Sequence, residues 1–175
     1  MSSCLITACG PTLEPEKVEA LRGKLPLIAV SDTAALFPWC DHMVSIDTKW
    51  WTNHGHKVAD LTCPKWGYAA CEEAVPGVKR IQIKCIEHAP TSGHAAVCLA
   101  IRLGYKVIYL AGYTFGETDR AHYFERPVAF RNFRRWHQRM KEIETLHRND
   151  GVKIINCTPG SALTFLPYMD LNEAA

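Results

Sequence analysis

The chain has no surplus of either charge: 20 Lys and Arg face 18 Asp and Glu, for a formal net charge of +2. Proteins that grip nucleic acid broadly carry a basic excess. Broad nucleic-acid binding is therefore not expected, while a local anion site, which needs only a few donors, stays open. No apolar run is long enough to cross a bilayer, so no membrane segment is expected. The opening MSSCLITACG lacks a basic segment followed by a long apolar core, which argues against a secretory signal. None of the 8 cysteines forms a Cys-x-x-Cys pair. Several, such as Cys85 and Cys157, sit in apolar runs. We expect a reduced, cytoplasmic protein with mostly buried thiols rather than a disulfide scaffold. Repeats, linkers and low-complexity stretches are also missing, as are a Walker loop and a Gly-x-Gly-x-x-Gly fingerprint.

What is present is a large apolar share, 47% of 175 residues, enough for one α/β domain over 1–175 with a sizeable core. Apolar runs predict strands at 4–9, 27–31, 43–46, 81–86, 106–111 and 152–157. Between them, patterns and stop signals predict helices at 14–22, 92–103 and 130–147, with a helical turn near 32–39. Stretch 49–56, rich in Trp and His, belongs to a loop or short helix, and 57–79 has no legible pattern. The last residues, 170–175, are expected to cap or fray. Strands that are apolar throughout, alternating with helices, predict a three-layer, Rossmann-like domain with a mostly parallel sheet. In such a sheet the loops after the strands' carboxyl ends line the ligand crevice. Segments 10–12, 31–32, 47–51, 88–94, 112–123 and 158–161 should then meet on one rim.

The stretch TSGHAAVCLAIRLGYKVIYLAG at 91–112 carries the most information. Thr91 or Ser92 can cap the helix through its hydroxyl. Gly93 lets a ligand or another backbone approach closely. The helix start offers unpaired N–H groups and positive potential, which suits a phosphate. Equally, Thr-Ser could merely cap a buried helix and Gly93 relieve packing.

Three motifs together resemble a known group. Cys-Gly-Pro-Thr-Leu at 9–13, the Thr-Ser-Gly helix start with its following strand, and Asn156-Cys157-Thr158-Pro159-Gly160-Ser161 are similar to turns of Rossmann-like transferases. That group includes bacterial sialyltransferases of the Campylobacter type and a domain of an archaeal hydroxymethyl-dihydropterin pyrophosphokinase. Small proteins of bacterial viruses carry the motifs too, which would place the chain in a host cytoplasm. The resemblance implies that Gly10, Pro11, Thr12, Thr91, Ser92 and Gly93 hold the phosphates and ribose of a nucleotide or nucleotide-sugar donor, of cytidine type in the sialyltransferases. It implies that Thr158 and Ser161 lie near the base or phosphate. Members often form oligomers, which leaves a homo-oligomer open. One departure stands out: the group has Asn where this chain has Cys9, a poor replacement for an amide.

The resemblance also implies a histidine base and tyrosines near the leaving phosphate. After the strand ending at Ala111, His122 is the base candidate, Tyr113 or Tyr123 the donor to a departing oxygen, and Arg120 or Arg126 the neutralising cation. Asp32 and Asp47 each follow a strand. They could hold magnesium for a phosphotransferase, joined by Glu87 and Asp119, or Asp32 could cap the turn after it. Trp50 and Trp51 could wall an acceptor site or belong to the core. His54, His56 and Cys63 could supply zinc ligands, although their spacing matches no established pattern. Phe133, Trp136, Met140 and Ile143 form an apolar stripe on a helix whose other face is basic. The leading expectation is a small glycosyltransferase-like transferase for a small-molecule acceptor. Its rivals are a magnesium-dependent nucleotide or pterin phosphotransferase and a non-catalytic nucleotide-binding protein.

Overall fold

The computed structural model describes residues 2–81, 89–116 and 133–174. Among these, seven strands form one parallel sheet: β1 (Ser3–Thr7), β2 (Leu27–Val30), β3 (His42–Val44), β4 (Lys65–Gly67), β5 (Val78–Arg80), β6 (Val107–Ala111) and β7 (Lys153–Asn156). Their order across the sheet is β5-β4-β3-β2-β1-β6-β7. The helices are α1 (Pro15–Glu19), α2 (Thr33–Leu36), α3 (Thr48–His54), α4 (Ala69–Ala74), α5 (Ser92–Arg102) and α6 (Phe133–Arg148), with 3-10 turns at Gly55–Val58 and Leu171–Glu173.

The central strands are apolar on both sides because both sides are covered. Cys4 and Ile6 of β1 and Ile28 and Val30 of β2 join one core with Ala95–Ala100 of α5 and Met140 and Ile143 of α6. The alternate residues Leu5, Leu27 and Ala29 join a second core with Val18 of α1, Ala34 of α2 and Trp50 and Trp51 of α3. Period-two alternation thus splits one strand between two apolar layers, and the expected three-layer α/β architecture is the one observed.

The chain lays down β1 to β5 in one direction, then crosses to the far side of β1 for β6 and β7. The order reverses between β1 and β6. In open parallel sheets that switch opens a crevice outside the carboxyl ends of the two strands.

Strands and helices are found near the other predicted positions, apart from the strand expected at 81–86, and the stretch 57–79 holds elements that were not predicted. There, β4, α4 and β5 extend the sheet by two strands. Of the last residues, expected to cap or fray, Asp170 caps the final 3-10 turn and Leu171 and Ala174 are buried. The helix predicted over 130–147 is seen from Phe133 to Arg148, with Met140 and Ile143 inward and Arg134, Arg135 and Lys141 exposed. Expected strand residues 82–86, together with Glu87, Asp119, Arg120, His122, Tyr123 and Arg126, lie outside the described residues. Cys4, Cys9, Cys40, Cys63, Cys71 and Cys157 are not in disulfides. Cys98 is disulfide-bonded, so the expectation of reduced thiols is not met there. Among the described residues, no helix is long and apolar enough to cross a membrane.

Candidate functional site

The rim loops are tied to one another by hydrogen bonds, element by element. After β1 and β6 the two backbones run side by side: Ala8 N–H donates to Ala111 O and Gly10 N–H to Gly112 O, both at 2.8 Å. Their threonines meet as well, with Thr12 Oγ1 and Thr114 Oγ1 2.9 Å apart. Gly10 is required by this approach, because a Cβ there would collide with the carbonyl of Gly112. Gly112 has φ +74° and would drive a Cβ into Ala8 O. The Gly10 backbone is therefore committed to the neighbouring strand end rather than left free for a phosphate. Pro11 and Thr12 stay partly exposed on the rim.

The loop after β7 locks under the loop after β6. Thr158 Oγ1 accepts from Tyr113 N–H at 2.9 Å and donates to Leu110 O at 3.1 Å. Its own N–H is bound to Asn156 Oδ1 at 3.0 Å. Ser161 Oγ donates to Tyr113 O at 2.6 Å and accepts from Leu163 N–H at 3.2 Å. The resemblance implies that both residues lie near a nucleotide's base or phosphate. Thr158 is buried, with its hydroxyl proton given to Leu110 O, and the partly exposed Ser161 braces Tyr113.

Tyr113 is the hub of this arrangement. It is wholly buried, and its hydroxyl donates to Gly93 O at 3.0 Å. Burial, the largest cause, raises its pKa well above the ordinary tyrosine value. A phenol so placed supports the Thr-Ser-Gly turn from below and does not reach a departing phosphate. Gly93 is explained by the same contact, since a Cβ there would sit 3.1 Å from the Tyr113 ring.

The start of α5 is fastened on both sides. Thr91 Oγ1 accepts from His94 N–H at 3.4 Å, and Ser92 Oγ accepts from Ile46 N–H, just past β3, at 3.1 Å. The first N–H groups of α5, on Ser92 and Gly93, are those a helix leaves without an intrahelical partner. His94, which sequence reasoning left without a role, is buried and bonded at both ring nitrogens. Nε2–H donates to Trp136 O at 2.8 Å, because a carbonyl can only accept; Nδ1 therefore accepts from the Thr91 hydroxyl at 2.8 Å. Desolvation by burial is the main cause that lowers its pKa to about 4, so the ring is neutral. Phe115, at φ 45°, stacks on His94 with ring centroids 5.3 Å apart. Its carbonyl accepts from His137 Nε2–H at 2.8 Å. A bulky residue held in the left-handed region marks a constrained loop. The signal in sequence is a His at the fourth position of the motif, but apart from Thr91 its partners lie in other elements.

The remaining candidates separate. Asp32 is buried, accepting from Trp50 Nε1–H at 3.0 Å and from Lys57 Nζ at 3.4 Å. Its side chain neither caps α2 nor stands open toward a rim metal. Asp47 is exposed and caps α3, accepting from Lys49 N–H at 2.9 Å. Trp50 and Trp51 are buried core residues in an edge-on pair 5.2 Å apart, not an acceptor wall. Trp51 Nε1–H donates to Ser45 O at 2.8 Å. Among the described residues no three His, Cys, Asp or Glu side chains are grouped to hold a metal, so His54, His56 and Cys63 are not gathered as zinc ligands. Cys9 Sγ donates to Val30 O at 3.4 Å, joining the β1 loop to the end of β2. Ser31 Oγ reaches Ser45 Oγ at 3.2 Å, joining β2 to β3. The expected grouping on one rim is thus met by the segments after β1, β2, β3, β6 and β7 and by the start of α5.

The chain matches no protein-family model and no curated protein sequence. It is similar in fold to solved sialyltransferases. Against the monofunctional α-2,3-sialyltransferase Cst-I of Campylobacter jejuni the TM-score is 0.69 at 17% identity, covering 98% of this chain and 82% of that one. An apo α-2,3-sialyltransferase of the same organism gives 0.63 at 16% identity, covering 98% and 81%. Campylobacter jejuni CstII in complex with the substrate analogue CMP-3FNeuAc gives 0.59 at 16% identity, covering 98% and 88%. At these identities the likeness is one of fold.

Proposed function

We propose that the chain is a nucleotide-sugar-dependent transferase of the glycosyltransferase type, with a cytidine nucleotide as the donor's leaving half. The observation that carries this reading is the closed ring of hydrogen-bonded loops at the carboxyl ends of β1 and β6, with the start of α5 built into it. The fold likeness to sialyltransferases, one of them holding a CMP-sugar analogue, supports the choice of donor. Thr12, partly exposed, and the first N–H groups of α5 offer neutral donors suited to a phosphate and ribose. His122 is the base candidate and Tyr123 and Arg120 the candidates for the departing phosphate. The commitment of Asp32 to Trp50 and Lys57 counts against a magnesium-phosphate site built on Asp32 and Asp47.

A thermal-shift series with CMP, a CMP-sugar and ATP, each with and without magnesium, tests the reading. Ligand at about a hundred times its Kd adds about 2.7 kcal/mol of stability, or roughly 5–10 °C for a chain of this size. CMP and the CMP-sugar should give that shift without magnesium, and the His122→Ala variant should keep it while losing turnover. A shift with ATP that requires magnesium, and none with CMP, would replace the proposal with a phosphotransferase. A CMP shift without turnover over a broad acceptor range would reduce it to a binding protein.

A further inference from the structure

The amino ends of the strands, opposite the rim, hold a different chemistry. In the β3–β4 pairing Met43 lies beside Lys65, and Met43 N–H donates to Pro64 O at 3.0 Å. This register brings the residues just upstream of the two strands together, and Cys40 Sγ lies 3.6 Å from Cys63 Sγ. Both are free thiols. The sulfurs must approach from 3.6 Å to about 2.05 Å to bond. The two thiols differ: Cys40 is buried, while Cys63 is partly exposed. The hydrogen bond from Cys40, with help from the Lys65 ammonium, lowers the Cys63 pKa to about 7, against the opposing effects of burial and Asp41. Cys40 is pushed up, first by its hydrogen bond with Cys63 and then by burial. Lys65 is held beside the loop carrying Cys63 by its 2.6 Å bond to Leu61 O.

We infer that Cys40 and Cys63 form a thiol–disulfide exchange site that reacts with low-molecular-weight disulfides. Cys63 thiolate attacks one sulfur of the small disulfide RSSR. The S–S bond breaks, Cys63 becomes the mixed disulfide Cys63–S–SR, and RS⁻ leaves. Cys40 gives its proton to solvent and attacks the Cys63 sulfur, expelling a second RS⁻. The two cysteines are oxidised by two electrons and RSSR is reduced to two RSH. The product disulfide closes the segment 40–63, which contains β3 and α3. It thereby staples the wall that holds Trp50 and Trp51 without using any rim residue. The other described cysteines outside disulfides serve as controls. Burial pushes Cys4 and Cys157 up to about 12, Cys71 is buried, and Cys9 is partly exposed but bonded to Val30 O.

The test exposes the folded chain to oxidised glutathione at neutral pH, followed by acid quench and peptide mapping without reduction. The expected product is a linked Cys40–Cys63 peptide. Cys40→Ser should instead retain a glutathione adduct on Cys63, and Cys63→Ser should show neither the link nor an adduct on Cys40. In the unsubstituted chain, iodoacetamide at pH 7 should label Cys63 about ten times faster than Cys9, a readout that needs no variant to fold. Absence of the linked peptide in the folded chain, or labelling of Cys9 ahead of Cys63, would overturn the inference.

Discussion

A tyrosine whose ring and hydroxyl both lie inside the protein has no route to a proton on a ligand. Tyr113 is such a residue, and its bond to Gly93 O gives it structural work instead. Tyr113→Phe should therefore cost about 1 kcal/mol in urea denaturation, the net worth of one buried hydrogen bond. Turnover should fall by much less than the hundredfold or more expected for loss of a general acid. His94 provides the second test at this scale. Its folded pKa, about 4, lies below the unfolded value of 6.5 because burial disfavours the cation, with Arg139 and His137 adding repulsion and the Trp136 carbonyl opposing. The unfolded chain therefore binds the extra proton first. The stabilisation is complete above pH 6.5 and is lost as the pH falls toward 4, to a total on the order of 3 kcal/mol. In His94→Gln the slope of unfolding free energy against pH between 7 and 4.5 should flatten by that contribution. An unchanged slope would mean that His94 is already solvated in the folded chain.

Short elements carry the rim, and α3 shows how a candidate ligand can be a cap. Asp47 accepts from Lys49 N–H at the start of that helix. Replacing it with Ala should cost about 1 kcal/mol of stability, and Asn, an equally good cap, almost nothing. If Asp47 also held magnesium, Asn would keep the stability and lose any magnesium-dependent ligand shift, so thermal shifts on the two variants separate the roles. The same scale explains what the sequence disclosed. Strands β1, β2, β6 and β7 were legible because apolar residues fill both of their faces. Strands β4 and β5 were not, because each has three residues and Lys65, Lys79 and Arg80 interrupt them. Their place comes from pairing, β4 with β3 and β5 with β4, not from local pattern. The rim grouping followed from strand direction alone. The particular bonds within it did not: the glycine at 93 was legible as a close approach, but the ring that lies against it, Tyr113, was not, nor was the Gly112 carbonyl against Gly10. Likewise the nearness of Cys40 to Cys63 depends on strand register, which no spacing between cysteines encodes.

Across the whole molecule, the carboxyl-terminal stretch joins one edge of the sheet to the layer that follows β1. Asn156 at the end of β7 donates to Pro167 O and accepts from Met169 N–H, which holds the stretch against the outermost strand. Beyond it Asp170 pairs with Lys17 of α1 at 3.0 Å. Leu171 and Ala174, 2% and 4% exposed, then enter the same core as Leu5, Leu13 and Val18. The tail thus closes the layer beneath the β1 loop, whose Gly10 and Thr12 form part of the rim. Removing residues 171–175 should expose that core and forfeit the burial of one leucine and one alanine, about 3 kcal/mol with the cavity left behind. For a chain of this length that corresponds to a fall in Tm of roughly 6–12 °C, readable by calorimetry or circular dichroism. A tail that merely frays would shift Tm by no more than a degree or two, because exposed ends contribute little to global stability.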